Sequence, residues 1–367
     1  MVCRLPAHGH VIAAKGGIIN NKHSRPMTEK PTKAQQAEKA QHSPLVEVCD
    51  ISKTFRTGGQ FAGSKSAVIH ALNGVSLRVY PAEVFCVVGE SGCGKSTLAQ
   101  VIAGLHRPDS GEVLLDGKRI DNLSEKARRP HRRAVQMIFQ NPDASLNPRM
   151  TVKQTLTEVA RFHFPQKTPA EALDDAAEAL ADTGLSADAL PKYPHQFSGG
   201  QRQRLSIARA LIAKPRFVIA DEPVAALDVS VQAQILNLLG ELRARQQLAF
   251  LFISHDLSVV RAFGDRAAVM YLGRVCEESP CDELFSAPRH PYSKTLLAAA
   301  PAIGKPLPQA ASSTKEQPSP DDLPSGCFFH PRCPNAAANC QMPPPPKLQQ
   351  ITPTRKAACH AITEGRI

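Results

Sequence analysis

The chain has 367 residues, 42% of them hydrophobic, with no Trp and a formal net charge of +11. That is enough apolar material for one large domain or two ordinary ones with aliphatic cores, and the positive surplus points to anionic partners: nucleotides, nucleic acid or an anionic membrane face. No apolar run approaches the ~20 residues of a membrane span, and no signal-type stretch opens the sequence, so a cytosolic protein with reduced thiols is expected.

Residues 1–43 are rich in Lys, Gln, Ala and His, lack hydrophobic periodicity and read as a disordered basic arm. Met27, in MTEKPTK, offers a second start, which leaves open whether residues 1–26 are translated. From residue 44 to 300 the pattern is globular. VFCVVG (Val84–Gly89), FVIAD (Phe217–Asp221) and AFLFIS (Ala249–Ser254) are short apolar runs bounded by turn or polar residues. Such runs mark parallel strands buried on both faces. Between them, Thr168, Pro169 and Glu171 form a capping box that opens a helix, and Gly184 closes it. Strands alternating with helices argue an α/β fold. Residues 301–325 are dense in Pro, Ser and charge and read as a linker. A Cys-bearing extension fills 326–367, and no internal repeat is visible.

The stretch VVGESGCGKSTL contains Gly89-x4-Gly94-Lys95-Ser96, with an apolar strand before it and a helical pattern after it. In this phosphate-loop pattern the glycines let backbone N–H groups turn onto phosphate oxygens. The helix N-terminus adds partial positive charge. Gly89, Glu90, Ser91, Gly92, Cys93, Gly94, Lys95, Ser96 and Thr97 are thus the expected nucleotide loop. Lys95 would reach the β- and γ-phosphates, and Ser96 would ligate Mg²⁺. FVIADEP supplies the second carboxylate-bearing strand such a loop needs. Asp221 at its end would hold the metal through water, and Glu222 would polarise an attacking water.

Ser198, Gly199, Gly200 and Gln201 open a further helical pattern with Leu205, Ala208 and Leu211–Ile212 on one face. This helix start is either an anion site or a plain cap by Ser198. One nucleotide does not need two such loops from one domain, so this one would serve a γ-phosphate held by a second domain.

The phosphate loop, then SGGQ, then ADEP resemble the ATP-binding cassette family over roughly Leu45 to Ala300. The resemblance implies a P-loop NTPase (RecA-like) core, an antiparallel β subdomain and a helical signature subdomain at about 141–205. It assigns Gln140 (MIFQNP) to the glutamine loop, which touches Mg²⁺ and the transmembrane partner, so the metal would be held by Ser96, Gln140 and Asp221. It assigns Ala225–Asp228 to the dimer-interface loop, with Asp228 its retained carboxylate, and His255 (FISHDL) to the switch histidine that contacts γ-phosphate. Phe55 is the adenine-stacking candidate, with Tyr80 the alternative. Ala226 departs from the Ser common at that position, removing a hydrogen bond worth on the order of 1 kcal/mol.

VGESGCGKST, QMIFQNPDASLNPRMTV, YPHQFSGGQRQR and RHPYSKTLLAAAP resemble the ATPases of oligopeptide and dipeptide importers, nearest to their second ATPase subunit. Nickel, glutathione and antimicrobial-peptide importers share these stretches, so the cargo stays open. The implied machine is peripheral to the cytoplasmic face of the inner membrane. Two cassettes, this one and a different ATPase chain in a heterodimer, sandwich two ATP molecules head to tail. They drive two permease subunits fed by a substrate-binding protein. Glu222 acts as base and His255 positions. The competing class is a soluble cassette ATPase on nucleic acid, which the basic arm and Lys126–Arg133 would suit. The interval Gln140–Ser198 holds no large insertion of the kind those proteins carry, so no nucleic acid is expected.

The tail cysteines are spaced C-x5-C-x6-C-x18-C. Spacing alone leaves zinc, an iron–sulfur cluster, disulfides and unliganded thiols open. A cytosolic location disfavours disulfides. The importer resemblance implies a [4Fe–4S] cluster on Cys327, Cys333, Cys340 and Cys359, with Zn²⁺ the alternative, as a metal site remote from ATP hydrolysis.

Overall fold

The computed structural model describes residues 43–57, 67–299 and 317–367. Nearly all of the expected arm and most of the expected linker lie outside these residues. The α/β architecture is present, with two sheets. The larger has eight strands, and its middle is parallel. β3 (Val84–Val88), β6 (Val135–Ile138), β7 (Phe217–Asp221) and β8 (Ala249–Ile253) stand in the spatial order β3-β8-β7-β6. β9 (Arg266–Tyr271) lies parallel on the other side of β3.

Alternation along these strands explains their continuous apolar sequence. Val84, Cys86 and Val88 of β3 face one core with Phe250 and Phe252 of β8. Phe85 and Val87 face the other, with Leu251 and Ile253. Successive residues point to opposite faces, so a strand covered on both sides must be apolar throughout.

The second sheet is wholly antiparallel and runs β2-β1-β4-β5: Ala67–Val79, Val46–Thr57, Ser110–Leu115 and Lys118–Arg119. A separate helical cluster joins Val152–His163, Pro169–Asp182 and Gly199–Leu211 around Leu156, Ala176, Leu180 and Leu205. The helix Pro169–Asp182 starts on the expected box: Thr168 Oγ1 accepts from the N–H of Glu171, and Glu171 Oε2 accepts from the N–H of Thr168. Gly184 follows its end at φ +71°.

One expectation shifts for the helix Gly199–Leu211. Leu205, Ala208 and Ile212 pack in the helical cluster, but Leu211 packs against the main sheet with Ile207 and Ala210. The helix is wedged between two cores rather than resting one face on one of them.

The extension is not a separate appendage. β10 (Arg274–Pro280) pairs antiparallel with β9, β12 (Arg355–Ala357) pairs with β10, and β11 (Gln349–Thr352) pairs with β12. Phe329 is buried in the same core as Val84 and Tyr292. Among the described residues no helix is long and apolar enough to cross a membrane.

Candidate functional site

Four neighbouring parallel strands each deliver a candidate group at their C-terminal ends. β3 runs into Gly89, β8 into Ser254–His255, β7 ends on Asp221, and β6 leads to Gln140. Open α/β sheets place ligand sites at this edge.

The phosphate loop is shaped by contacts that exclude side chains. A Cβ on Gly89, at φ +155°, would lie 2.2 Å from the carbonyl oxygen of Met270. One on Gly94, at φ +102°, would lie 2.3 Å from that of Ala71. The loop is pressed between β2 and the β9–β10 turn, whose Gly273 N–H donates to the carbonyl of Cys93 at 2.9 Å. Lys95 is buried, and its Nζ donates to the carbonyls of Gly89 and Glu90, each at 2.9 Å. The ammonium thus curls back over the turn, where phosphates would meet it. Ser91, Gly92 and Ser96 are exposed.

Ser96 Oγ donates to Asp221 Oδ1 at 3.1 Å. Burial raises the Asp221 pKa above the ordinary carboxylate value and Glu222 adds to it, against the Ser96 hydrogen bond and the Lys95 charge. The site thus gathers the Ser96 hydroxyl and the Asp221 carboxylate. Its hard oxygen donors suit Mg²⁺, which takes one or two carboxylates and completes its shell with water and phosphate.

Glu222 sits at φ +47°, the left-handed region. Its Oε2 accepts from Gln140 Nε2 at 2.9 Å and faces His255 Nδ1 at 3.1 Å. The geometry thus joins Gln140, Glu222 and His255, three groups from three strands. Phe55, half-buried on β1, meets His106 edge-on at 5.3 Å. Tyr80 instead packs under the Arg266 guanidinium, which also pairs with Glu83.

Ser198 caps the helix Gly199–Leu211 in a reciprocal box with Gln201, so the capping reading holds. Ser198, Gly199 and Gln201 are nonetheless exposed. A Cβ on Gly200 would lie 2.5 Å from Val231 Cγ1, so a side chain there would force Val231 aside. Asp228 caps the helix Val229–Gln246, accepting from the N–H of Val231 at 2.9 Å and from Ser230 Oγ at 2.7 Å. The Ser230 hydrogen bond foremost holds its pKa low. Beside it Val229 is 81% exposed.

Of the basic run Lys126–Arg133, Arg128 is buried in the fold and Arg129 and Arg132 make surface contacts. Arg128 donates to the carbonyls of Gly104 and Asp121, Arg132 pairs with Glu125, and Arg129 donates to the carbonyl of Phe162.

Of two expectations for the tail, one finds no support and the other fails. Cys327, Cys333, Cys340 and Cys359 lie near enough to feel one another's charge. Among the described residues no group of three or more His, Cys, Asp or Glu side chains is placed to hold a metal, so nothing here supports the expected cluster, or zinc, on them. Burial pushes the Cys327 thiol up to about 11 and raises Cys333 and Cys359, and the neighbouring thiols add to the shift. Nor is the extension remote from the nucleotide loop. Arg332 reaches Glu90 with two bonds of 2.8 and 3.0 Å. The Tyr292 hydroxyl accepts from the N–H of Glu90 at 3.0 Å. Neither Arg332 nor Tyr292 was marked in the sequence, because nothing local ties them to a loop some two hundred residues earlier.

The ABC transporter family model matches residues 72–225, and the model for the oligopeptide/dipeptide transporter C-terminal region matches 276–340. A probable peptide ABC transporter ATP-binding protein of Sinorhizobium fredii is 47% identical over 86% of this chain and 89% of its own. The oligopeptide transport ATP-binding protein OppF of Salmonella typhimurium is 43% identical over 82% and 91%. Among solved structures, a dimeric ATP-binding cassette in a post-hydrolysis state, bound to ADP and Pi, superposes with a TM-score of 0.56 at 30% identity, covering 65% of this chain and 99% of that one.

Proposed function

This chain belongs to the ABC transporter family, in its oligopeptide/dipeptide branch, and from that premise we propose that it is the ATP-hydrolysing subunit that powers peptide import through membrane permeases. The observation that carries the reading is the convergence of the phosphate loop, Asp221, and the Gln140–Glu222–His255 contact at one edge of the parallel sheet.

In this reading the N–H groups of Gly89–Thr97 and the ammonium of Lys95 bind the phosphates. Ser96, Asp221 and Gln140 would hold Mg²⁺, which supplies charge neutralisation on the phosphate oxygens. Glu222 takes the proton of the attacking water, and His255 orients Glu222 and the γ-phosphate. Phe55 offers a face for adenine. The exposed Ser198–Gln201 start and Asp228 serve the ATP bound by a second cassette, which we take to be a different ATPase chain. Gln140 lies where nucleotide contacts and the permease-facing segment after it can move together. The protein then works as a peripheral subunit on the cytoplasmic side of the membrane.

The test is reconstitution with the two permeases and the peptide-binding protein in vesicles. ATP turnover should rise when peptide-loaded binding protein is added, and peptide should accumulate inside only with ATP. Turnover indifferent to permeases and peptide would overturn the importer reading.

A further inference from the structure

Arg332 lies between Cys327 and Cys333, on the short turn His330–Arg332 of the extension. Its Nη1 and Nη2 donate to separate oxygens of Glu90, the second residue of the phosphate loop, at 2.8 and 3.0 Å. Such a two-bonded, charge-assisted fork is roughly twice as strong as a neutral hydrogen bond. The guanidinium also lies over the rings of Tyr271 and Phe329, 5.7 and 5.8 Å from their centroids. Its side chain is only 12% exposed. Its Nε is buried with no partner among the described residues. Nη1 also reaches the Tyr271 hydroxyl at 3.4 Å, longer than either bond to Glu90, so the carboxylate is the closest polar partner of the guanidinium.

Glu90 is held at its backbone as well. Its N–H donates to the hydroxyl of Tyr292, and its carbonyl accepts from Lys95. Tyr292, Tyr271 and Phe329 stack into one cluster with centroids 4.6 to 5.4 Å apart. That cluster binds the extension, the segment before the linker and β9 into one support. The support ends on the residue that precedes Ser91–Gly94, where Gly92 and Gly94 give the backbone its freedom at φ +75° and +102°. A glycine-rich turn loses much entropy when it is ordered around a ligand. Anchoring its entrance removes part of that cost before ATP arrives.

We propose that Arg332 is a positioning residue for ATP binding: by holding Glu90 it keeps the phosphate loop in its receptive form, so the extension sets the affinity for nucleotide. The proposal rests on the ATP reading of Gly89–Thr97 given above.

The test uses the full chain, with Mg-ATP titrated against a fluorescent ATP analogue and steady-state ATPase measured in parallel. Arg332→Ala should raise both Kd and KM for ATP about tenfold, the loss of one charge-assisted fork, with kcat within about twofold. Arg332→Lys should recover only part of this, because an ammonium cannot bridge two oxygens. The swap Arg332→Glu with Glu90→Arg should bind ATP better than either single reversal. Extension packing alone would predict no such recovery. Kd and KM unchanged in Arg332→Ala, or a swap no better than the singles, overturns the proposal. If Arg332→Ala does not fold, Glu90→Gln should likewise raise the Kd for ATP about tenfold, and an unchanged Kd there overturns it equally. Lys95→Ala separates the two readings. If it leaves ATP binding intact, the ATP reading of the loop fails. If it abolishes binding while Arg332→Ala does not weaken it, only the Arg332 proposal fails.

Discussion

Glu222→Gln separates proton abstraction from the rest of the site. Glu222 Oε2 accepts from Gln140 Nε2 at 2.9 Å and faces His255 Nδ1 at 3.1 Å. Both contacts fall on that one oxygen, so a Gln that keeps the shape and sets its amide oxygen there still accepts from Gln140 Nε2 and from an Nδ1–H of His255, and stability should move by less than ~1 kcal/mol. The backbone strain at φ +47° is the same in both forms. What the amide lacks is a carboxylate that can take a proton. A positioned general base contributes roughly 10²–10⁴-fold, which is about 3–5 kcal/mol of barrier. Single-turnover hydrolysis on the full chain should therefore fall by that factor, with the Kd for Mg-ATP within about threefold. A turnover within about threefold of the parent would remove Glu222 as base. A Kd that rises in step with the lost turnover would assign it to ground-state binding instead.

Three further outcomes follow from the same geometry. Gly89→Ala would drive a Cβ to 2.2 Å from the Met270 carbonyl and should cost about 3 kcal/mol or more, whereas Gly92→Ala meets nothing within 4 Å and should cost only the ~1 kcal/mol of its positive φ; equal losses in thermal melting would refute the clamped shape of the loop. Lys95→Met removes the ammonium that bridges the Gly89 and Glu90 carbonyls and should weaken Mg-ATP binding by about 10–100-fold in equilibrium titration. His290 is buried, with Nδ1 accepting from the N–H of Tyr292, and burial lowers its pKa to about 4. The unfolded chain takes up this proton below its ordinary value near 6.5 while the native state does not. The contribution is thus full above that value and is lost as pH falls toward 4. Between pH 7 and 5 it should amount to about 2 kcal/mol, read as a difference in pH-dependent melting between the parent and His290→Asn; parallel melting curves would contradict it.

What the sequence made legible was local. The strand VFCVV is recognisable because both of its faces meet a core, and the Thr168–Glu171 cap because its four residues satisfy one another. The phosphate loop shows itself because a bound phosphate dictates glycines at fixed offsets, here Gly89 and Gly94 against neighbouring carbonyls. β1 is harder: VEVCDISKTFRT carries register shifts between Val48 and Ile51 and between Lys53 and Thr54, which break its alternation. β11 and β12 are short and rich in polar residues, so no apolar pattern marks them. The tail thiols stay undecided from sequence because their number suits a cluster, whereas donor geometry is a tertiary property that spacing does not contain. The Arg332–Glu90 pair, 242 residues apart, left no trace for the same reason.

Strand order explains why those two ends of the chain act on different steps. β3, which carries the phosphate loop, has β8 and then β7 on one side, and β9, β10 and β12 on the other. The groups proposed for hydrolysis, Glu222 and His255, thus lie on the β7–β8 side. The extension approaches from the β9 side through Arg332, beside Tyr292 and the β9–β10 turn. Arg332 ends on the side chain of Glu90 and Tyr292 on its backbone, and none of the hydrogen bonds and ion pairs among the described residues joins them to Glu222, Gln140 or His255. A perturbation of the extension should therefore appear in KM and Kd for ATP and leave kcat nearly unchanged, while Glu222→Gln should do the reverse. If Arg332→Ala and Glu222→Gln instead moved the same kinetic constant, the two halves of the sheet would be acting as one unit, and the separation drawn from strand order would be wrong.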